Sequence, residues 1–185
     1  MSFPAGLTGS LQKLARQEGA TLFMMLLAGF SAVLSRWSGQ TDVVVGTSIA
    51  GRTQRETEGL IGFFVNNLAL RTDLGGDPGF SELVGRVREA ALGAYAHQDV
   101  PLGKLVSELA PSRDLSRQPL FQVLFTLQNA APPTLEMPGL EVTMVPTDRV
   151  AAQFDLTLSL SETADGGLEG GLEYAADLFE AETAQ

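Results

Sequence analysis

Few side chains in this sequence are equipped for chemistry. Among 185 residues there is no cysteine and a single histidine, His97. That composition excludes a thiol nucleophile, a disulfide, a cysteine metal site and a three-histidine zinc centre built within the chain. His97 and Asp99 have the types of a base and its orienting acid, but nothing in the sequence sets a serine beside them. Asp99 fits better as a helix cap. Ser48 sits in Gly46-Thr47-Ser48-Ile49-Ala50, which ends in alanine where a nucleophile elbow requires glycine. Residues 46–52, read as a loop with glycines near both ends, contain neither G-x-G-x-x-G nor the Gly-Lys-Ser/Thr of a phosphate loop. Glu56 and Glu58 lie in a short charged stretch and read as solvated carboxylates. No generic catalytic pattern is complete.

Positioning any site requires a core, and the composition supplies one: 44% of residues are apolar and 18% charged. At roughly 150 residues per domain, the chain is one domain or a large piece of one. Acidic residues outnumber basic ones 22 to 12, a net charge of −10. That balance disfavours a nucleic-acid partner, whose phosphates need a basic face. The charge is uneven, because residues 1–117 hold eleven residues of each sign and residues 118–185 set Arg149 against eleven acids. Acidic solvent faces of strands explain the skew more simply than a basic partner. The start of the chain lacks the pattern of a secretory signal. The uncharged stretch 19–35 is short for a membrane span, so a buried helix and a cytoplasmic location are expected.

Leu7, Leu11, Leu14 and Ala15 share one face of a short helix that Gly19 ends. Thr21 caps a second helix over residues 22–36, apolar nearly all round and so central to the core. Val43, Val44 and Val45 form a buried strand closed by Gly46, and residues 63–71 form another. Phe80, Leu83, Val84, Val87, Ala91 and Ala94 follow helical spacing to about Ala96. Asp99 and Pro101 then open a shorter helix ending near Leu109. After Pro111 the period changes from 3.6 to 2. Phe121, Val123, Phe125 and Leu127 alternate with more polar neighbours. Phe154, Leu156, Leu158 and Leu160 do so again and form a hairpin with Leu168 to Tyr174 across Asp165-Gly166-Gly167. Residues 130–138 hold three prolines and read as an extended crossing segment; residues 140–145 read as a further strand. The pattern is α/β: a mixed sheet with packed helices.

Four stretches are specific. Ile61-Gly62-Phe63-Phe64-Val65-Asn66-Asn67-Leu68 resembles I-G-x-F-V-N-T-L of the condensation domains of nonribosomal peptide synthetases, with Asn67 in place of threonine. His97-Gln98-Asp99-Val100-Pro101-Leu102-Gly103-Lys104-Leu105-Val106 resembles H-Q-D-x-P-F-E-x-L-V, with Leu102 and Gly103 replacing phenylalanine and glutamate. Arg113-Asp114-Leu115-Ser116-Arg117-Gln118-Pro119-Leu120-Phe121-Gln122-Val123 resembles R-D-x-S-R-x-P-L-F-Q-V. Val44-Val45-Gly46-Thr47-Ser48-Ile49-Ala50-Gly51-Arg52 resembles a further family stretch, with Ser48 where proline is common. The four occur in the family's order and cover nearly the whole chain.

The resemblance implies a lobe like chloramphenicol acetyltransferase, one of two that face each other across a tunnel. The H-H-x-x-x-D-G motif of the N-terminal lobe does not occur in the sequence. The chain, residues 1–185, therefore resembles the C-terminal lobe alone, and the family continues into a helix after Asp177-Leu178-Phe179. The implied reaction joins two aminoacyl or peptidyl thioesters held on the phosphopantetheine arms of carrier proteins, with no cofactor bound directly. This lobe has no catalytic residue of its own in that scheme and is inactive alone. The alternative is a non-catalytic remnant that binds a carrier protein or another synthetase segment. Asn66 either faces the tunnel or is a strand-end amide bonded locally. Arg52 pairs with the other lobe or holds local structure. His97 and Asp99 order the junction before Pro101, and Arg113, Asp114 and Arg117 form an ion-pair network at the strand entry. The region of Pro132 and Pro133 resembles the crossing to the other lobe. An isolated lobe exposes apolar surface and is expected to self-associate.

Overall fold

Thr21 sets the start of the central helix, its hydroxyl accepting from the Met24 N–H at 3.3 Å. That cap satisfies one of the free N–H groups of the first helical turn. A computed structural model describes residues 1–52, 54–109, 117–128, 140 and 151–184. The elements in order are β1 (Ser2–Phe3), α1 (Ala5–Gln17), α2 (Leu22–Ser38), β2 (Asp42–Ile49), a single 3₁₀ turn (Arg55–Thr57), β3 (Asn66–Asp73), α3 (Phe80–Ala96), α4 (Leu102–Leu109), β4 (Val123–Gln128), β5 (Leu156–Glu162), β6 (Leu168–Tyr174) and α5 (Ala181–Ala184).

The strands form one mixed sheet in the order β1-β6-β5-β4-β2-β3. β2, β4 and β5 run parallel, and the remaining neighbours are antiparallel. The carboxyl ends of the three parallel strands thus share one end of the sheet. Val43, Val45, Leu68, Leu70, Phe125 and Leu160 point to one face and bury against Met24, Leu27 and Ala28 of α2 and Val84, Val87 and Ala91 of α3. Phe125 is fully buried and stacks on Phe23 with ring centroids 5.3 Å apart. Such an aromatic pair adds about 0.5–1.5 kcal/mol beyond its area burial. Among the described residues no single helix is long and apolar enough to cross a membrane.

The structure corrects the sequence reading at several points. α2 is not buried all round: Val33 and Trp37 face outward, because the sheet covers only one side of it. Gly46 does not close its strand, and β2 continues to Ile49. Glycine stands there because the buried Phe121 ring lies over that backbone, where a Cβ would collide with it. Phe121 itself precedes β4 and stacks on Phe154, at 5.6 Å between centroids, before β5 begins. β3 starts at Asn66 rather than Phe63. The short strand β1, which pairs with β6, has no periodic signal in two residues. Residues 130–138 lie outside the described residues, as do all but exposed Leu140 of residues 140–145.

Candidate functional site

Three of the four specific stretches meet where β2 ends and β3 begins. Asn66, the first residue of β3, is the joint. Its Nδ2 donates to the Gln98 carbonyl at 2.8 Å and to the Val100 carbonyl at 2.9 Å. Its Oδ1 accepts from the Asn67 N–H at 3.0 Å and the Leu102 N–H at 3.3 Å. Both amide hydrogens and both oxygen lone pairs are therefore committed to protein partners. Of these partners only the Asn67 N–H is local; Gln98, Val100 and Leu102 lie 32 to 36 residues along the chain.

The same bonds correct the assignment of the α4 cap. Asp99 is exposed and its side chain bonds no described residue; the first N–H of α4 is met by Asn66 instead. His97 is also exposed and ends α3, with its N–H donating to Ala94 and its carbonyl accepting from Val100, both at 3.1 Å. The junction before Pro101 is thus ordered by the backbone of residues 94–100 and by a side chain from β3. Arg113 and Asp114 lie outside the described residues, and Arg117 is exposed before β4. Pro132 and Pro133 also lie outside them.

Arg52 is held by nearby backbone. Its guanidinium donates to the Thr57 carbonyl, to Glu58 O at 3.3 Å and to Leu60 O at 2.8 Å. It also sits 4.3 Å from the centre of the Phe64 ring. One cation therefore gathers the carbonyls of Thr57, Glu58 and Leu60 and stacks on the ring that follows them, a combination suited to the planar fork of arginine. Gly51, at φ +63°, lets the backbone touch the Phe64 carbonyl, a contact that no Cβ would permit. Held this way, the segment leaves Phe63 90% exposed and Ile61 fully exposed.

Beside this corner is a cleft of about 430 Å³. Thr47, Ser48 and Ile49 of β2 line one side and Thr126, Leu127 and Gln128 of β4 the other, with the start of α2, Tyr95 and Glu162 around them. It exists because β2 and β4 are paired at one register position only, Gly46 opposite Leu124. The carboxyl ends of parallel strands are the usual place for a ligand crevice in an α/β sheet. Partial burial pushes the Tyr95 phenol above its ordinary value. Ser48 Oγ donates to Asn67 Oδ1 at 2.7 Å across β2 and β3. Sequence reasoning missed this pair, although the departure of both residues from the family pattern is a signal that could have found it. Among the described residues no cluster of histidine and carboxylate side chains is arranged to hold a metal.

A six-stranded mixed sheet with packed helices, and motif segments joined at the carboxyl ends of its parallel strands, defines an α/β fold. The chain belongs to the condensation domain family, whose model matches residues 1–185. It is 49% identical over 183 residues to malpinin synthetase of Mortierella alpina, covering 99% of this chain and 2% of that protein. Against surfactin synthase subunit 1 of Bacillus subtilis it is 46% identical over 182 residues, 98% of this chain and 5% of the relative. Among structures, the X-domain from teicoplanin biosynthesis superposes with a TM-score of 0.90 at 35% identity, covering 100% of this chain and 43% of that one. A four-domain nonribosomal peptide synthetase bound to AMP and glycine gives 0.88 at 27% identity, covering 100% and 15%. The chain therefore spans a small fraction of its curated relatives and less than half of the X-domain.

Proposed function

We propose that this chain is the C-terminal lobe of a two-lobed condensation domain, which forms a peptide bond within a nonribosomal peptide synthetase. Coverage carries this reading: the family matches the whole chain, yet the chain spans 43% of the X-domain. The apolar loop bearing Ile61 and Phe63, uncovered within this lobe, supports a second lobe beside it. In the reaction an acceptor amine attacks the donor thioester carbonyl. A C–N bond forms, the C–S bond breaks, and the amine proton balances the thiolate that leaves on the donor arm. Both substrates are presented by carrier proteins on phosphopantetheine, and no other cofactor is used. The N-terminal lobe supplies the histidine motif that this sequence lacks, so this lobe alone is inactive. Its own contribution is a tunnel wall shaped by the joint at Asn66 and the loop that Arg52 holds. His97, Asp99, Arg113, Asp114 and Arg117 serve local structure or contact with the other lobe rather than chemistry. The cytoplasm is its compartment.

A single-turnover assay with donor- and acceptor-loaded carrier proteins tests this. Product is expected from this chain mixed with a separately produced N-terminal lobe, and not from this chain alone. Product from this chain alone removes the need for the absent histidine. No product from lobes shown to associate overturns the catalytic reading. The uncovered loop also implies self-association in isolation, and a clean monomer in light scattering at high concentration contradicts it.

One observation favours a second reading. The X-domain, 35% identical to this chain, is solved in complex with OxyB. A chain that recruits another protein without doing chemistry would give no product with either lobe arrangement, while still binding a carrier protein or synthetase segment.

A further inference from the structure

The two edges of the sheet end differently. At one, β1 pairs with β6, and the Met1 ammonium donates to the Gly170 carbonyl at 2.8 Å. At the other, β3 pairs with β2 over its whole length, and among the described residues no strand lies on its outer side. The phase of the ladder says which groups that outer side offers. The Leu74 N–H donates to the Thr41 carbonyl at 2.6 Å, so these two residues are a hydrogen-bonded pair. Such pairs alternate along antiparallel strands. Asn66, Leu68, Leu70 and Thr72 therefore bond β2, while Asn67, Ala69, Arg71 and Asp73 turn their N–H and C=O outward. Two of those outward groups are already occupied. The Asn67 N–H donates to Asn66 Oδ1 at 3.0 Å, and the Asp73 carbonyl accepts from Arg86 at 2.8 Å. What remains is the carbonyl of Asn67, both groups of Ala69, both of Arg71 and the N–H of Asp73.

We propose that this edge pairs with the same edge of a second copy of the chain, antiparallel and about a two-fold axis at Leu70. Asn67 then lies opposite the second copy's Asp73, and Ala69 opposite its Arg71. Opposed residues of this kind exchange two bonds, N–H to C=O in each direction. The two occupied groups, Asn67 N–H and Asp73 C=O, are the ones that would otherwise bond each other in this register. Every remaining group finds a partner and none is left over. An axis at Ala69 sets the Arg71 carbonyl against the occupied Asn67 N–H and leaves the Asp73 N–H without a strand partner. An axis at Arg71 sets two guanidiniums opposite each other, and like charges so placed repel. The occupied ends thus select one register. β3 has no proline, and its inward side chains Leu68, Leu70 and Thr72 are buried and uncharged, so it lacks two of the devices that keep edges apart. Arg71 is already matched by Asp42 on the neighbouring strand. The contact is self-complementary and closes at two copies. It uses neither the loop of Ile61 and Phe63 nor the condensation reading.

The test is amide hydrogen exchange by NMR on the full chain, dilute and concentrated, with sedimentation on the same samples. Exchange at Ala69, Arg71 and Asp73 should slow together, about tenfold as the dimer fills, while the Asn67 amide keeps its rate. Ala69→Pro removes one N–H from each copy without touching the β2–β3 ladder, and should raise the dimer dissociation constant about tenfold. Ala69→Lys sets an ammonium opposite the second copy's Arg71 and should raise it too, which decides the matter if the proline variant does not fold. A monomer at every concentration overturns the proposal. So does a dimer whose three edge amides exchange as in dilute solution, the result expected if the loop of Ile61 and Phe63 mediates it. A folded Ala69→Pro that dimerises as tightly as the parent chain also overturns it. No second lobe or carrier protein takes part, so failure here is distinct from failure of the condensation assay.

Discussion

Residues 42–46 and residues 47–49 belong to one strand, β2, and meet different fates. The first stretch is closed on both edges: β3 pairs along it, and Gly46 bridges to β4 beneath the Phe121 ring. The second keeps β3 but loses β4. Around the closed part the contacts are apolar, with the Phe121 ring over Gly46 and stacked on Phe154. Around the open part polar bonds join the segments: Ser48 to Asn67, Asn66 to Gln98, Val100 and Leu102, and Arg52 to the carbonyls of Thr57, Glu58 and Leu60. Apolar packing fixes the sheet where it needs strength. Hydrogen bonds of defined direction fix it where a surface must be presented, because direction and not area sets their geometry.

Substitutions separate the two regimes. Phe125→Ala, in the apolar core beneath the sheet, removes a fully buried ring and should cost about 3–5 kcal/mol in urea unfolding. A loss below about 1 kcal/mol would mean that the stacked core is not what holds β4. Gly46→Ala places a methyl against the Phe121 ring, and overpacking of this kind costs about 1–3 kcal/mol. If instead the melting temperature is unchanged, Phe121 moves freely and the closed half of β2 is not sealed by it.

At the open end, Asn66→Ala leaves the Gln98 and Val100 carbonyls and the Leu102 N–H without their partner. The site is only partly buried, so water replaces some of these bonds and about 1–2 kcal/mol is expected, lower in the range for unsatisfied groups. Thermal unfolding together with turnover in the two-lobe assay sorts the two roles of this residue. A joint loses stability first; a tunnel contact would lose turnover at unchanged stability. The smallest effect belongs to the exposed pair Asp42–Arg71, 2.6 Å apart at the start of β2. The Arg71 hydrogen bond and charge hold the Asp42 carboxyl below its ordinary 3.8. Its contribution is therefore present at neutral pH and is lost as pH falls through the lowered value. Asp42→Asn should melt slightly below the parent chain at pH 7 and level with it near pH 2. A gap that persists in acid would mean that the carboxylate charge is not its source.

The sequence by itself determined the helices, the alternating strands and the family. Apolar spacing at 3.6 and at 2 is a local property, and Thr21 capping α2 needs only its own turn. The motif stretches were legible because their residues are contiguous. Tertiary structure alone decided how they meet. Asn66 caps α4 from 36 residues away, a bond that no local pattern announces and that displaced Asp99 from the role its position suggested. Gly46 looked like a strand end, since glycine weakens strands, until the Phe121 ring arriving from 75 residues further along required its missing side chain. The cleft is the clearest case. Both β2 and β4 have ordinary strand sequences, and their separation after Gly46 and Leu124 arises from how each pairs with its other neighbour. Hydrogen-bond register is a relation between segments, so the chain order carries it only once the sheet has formed.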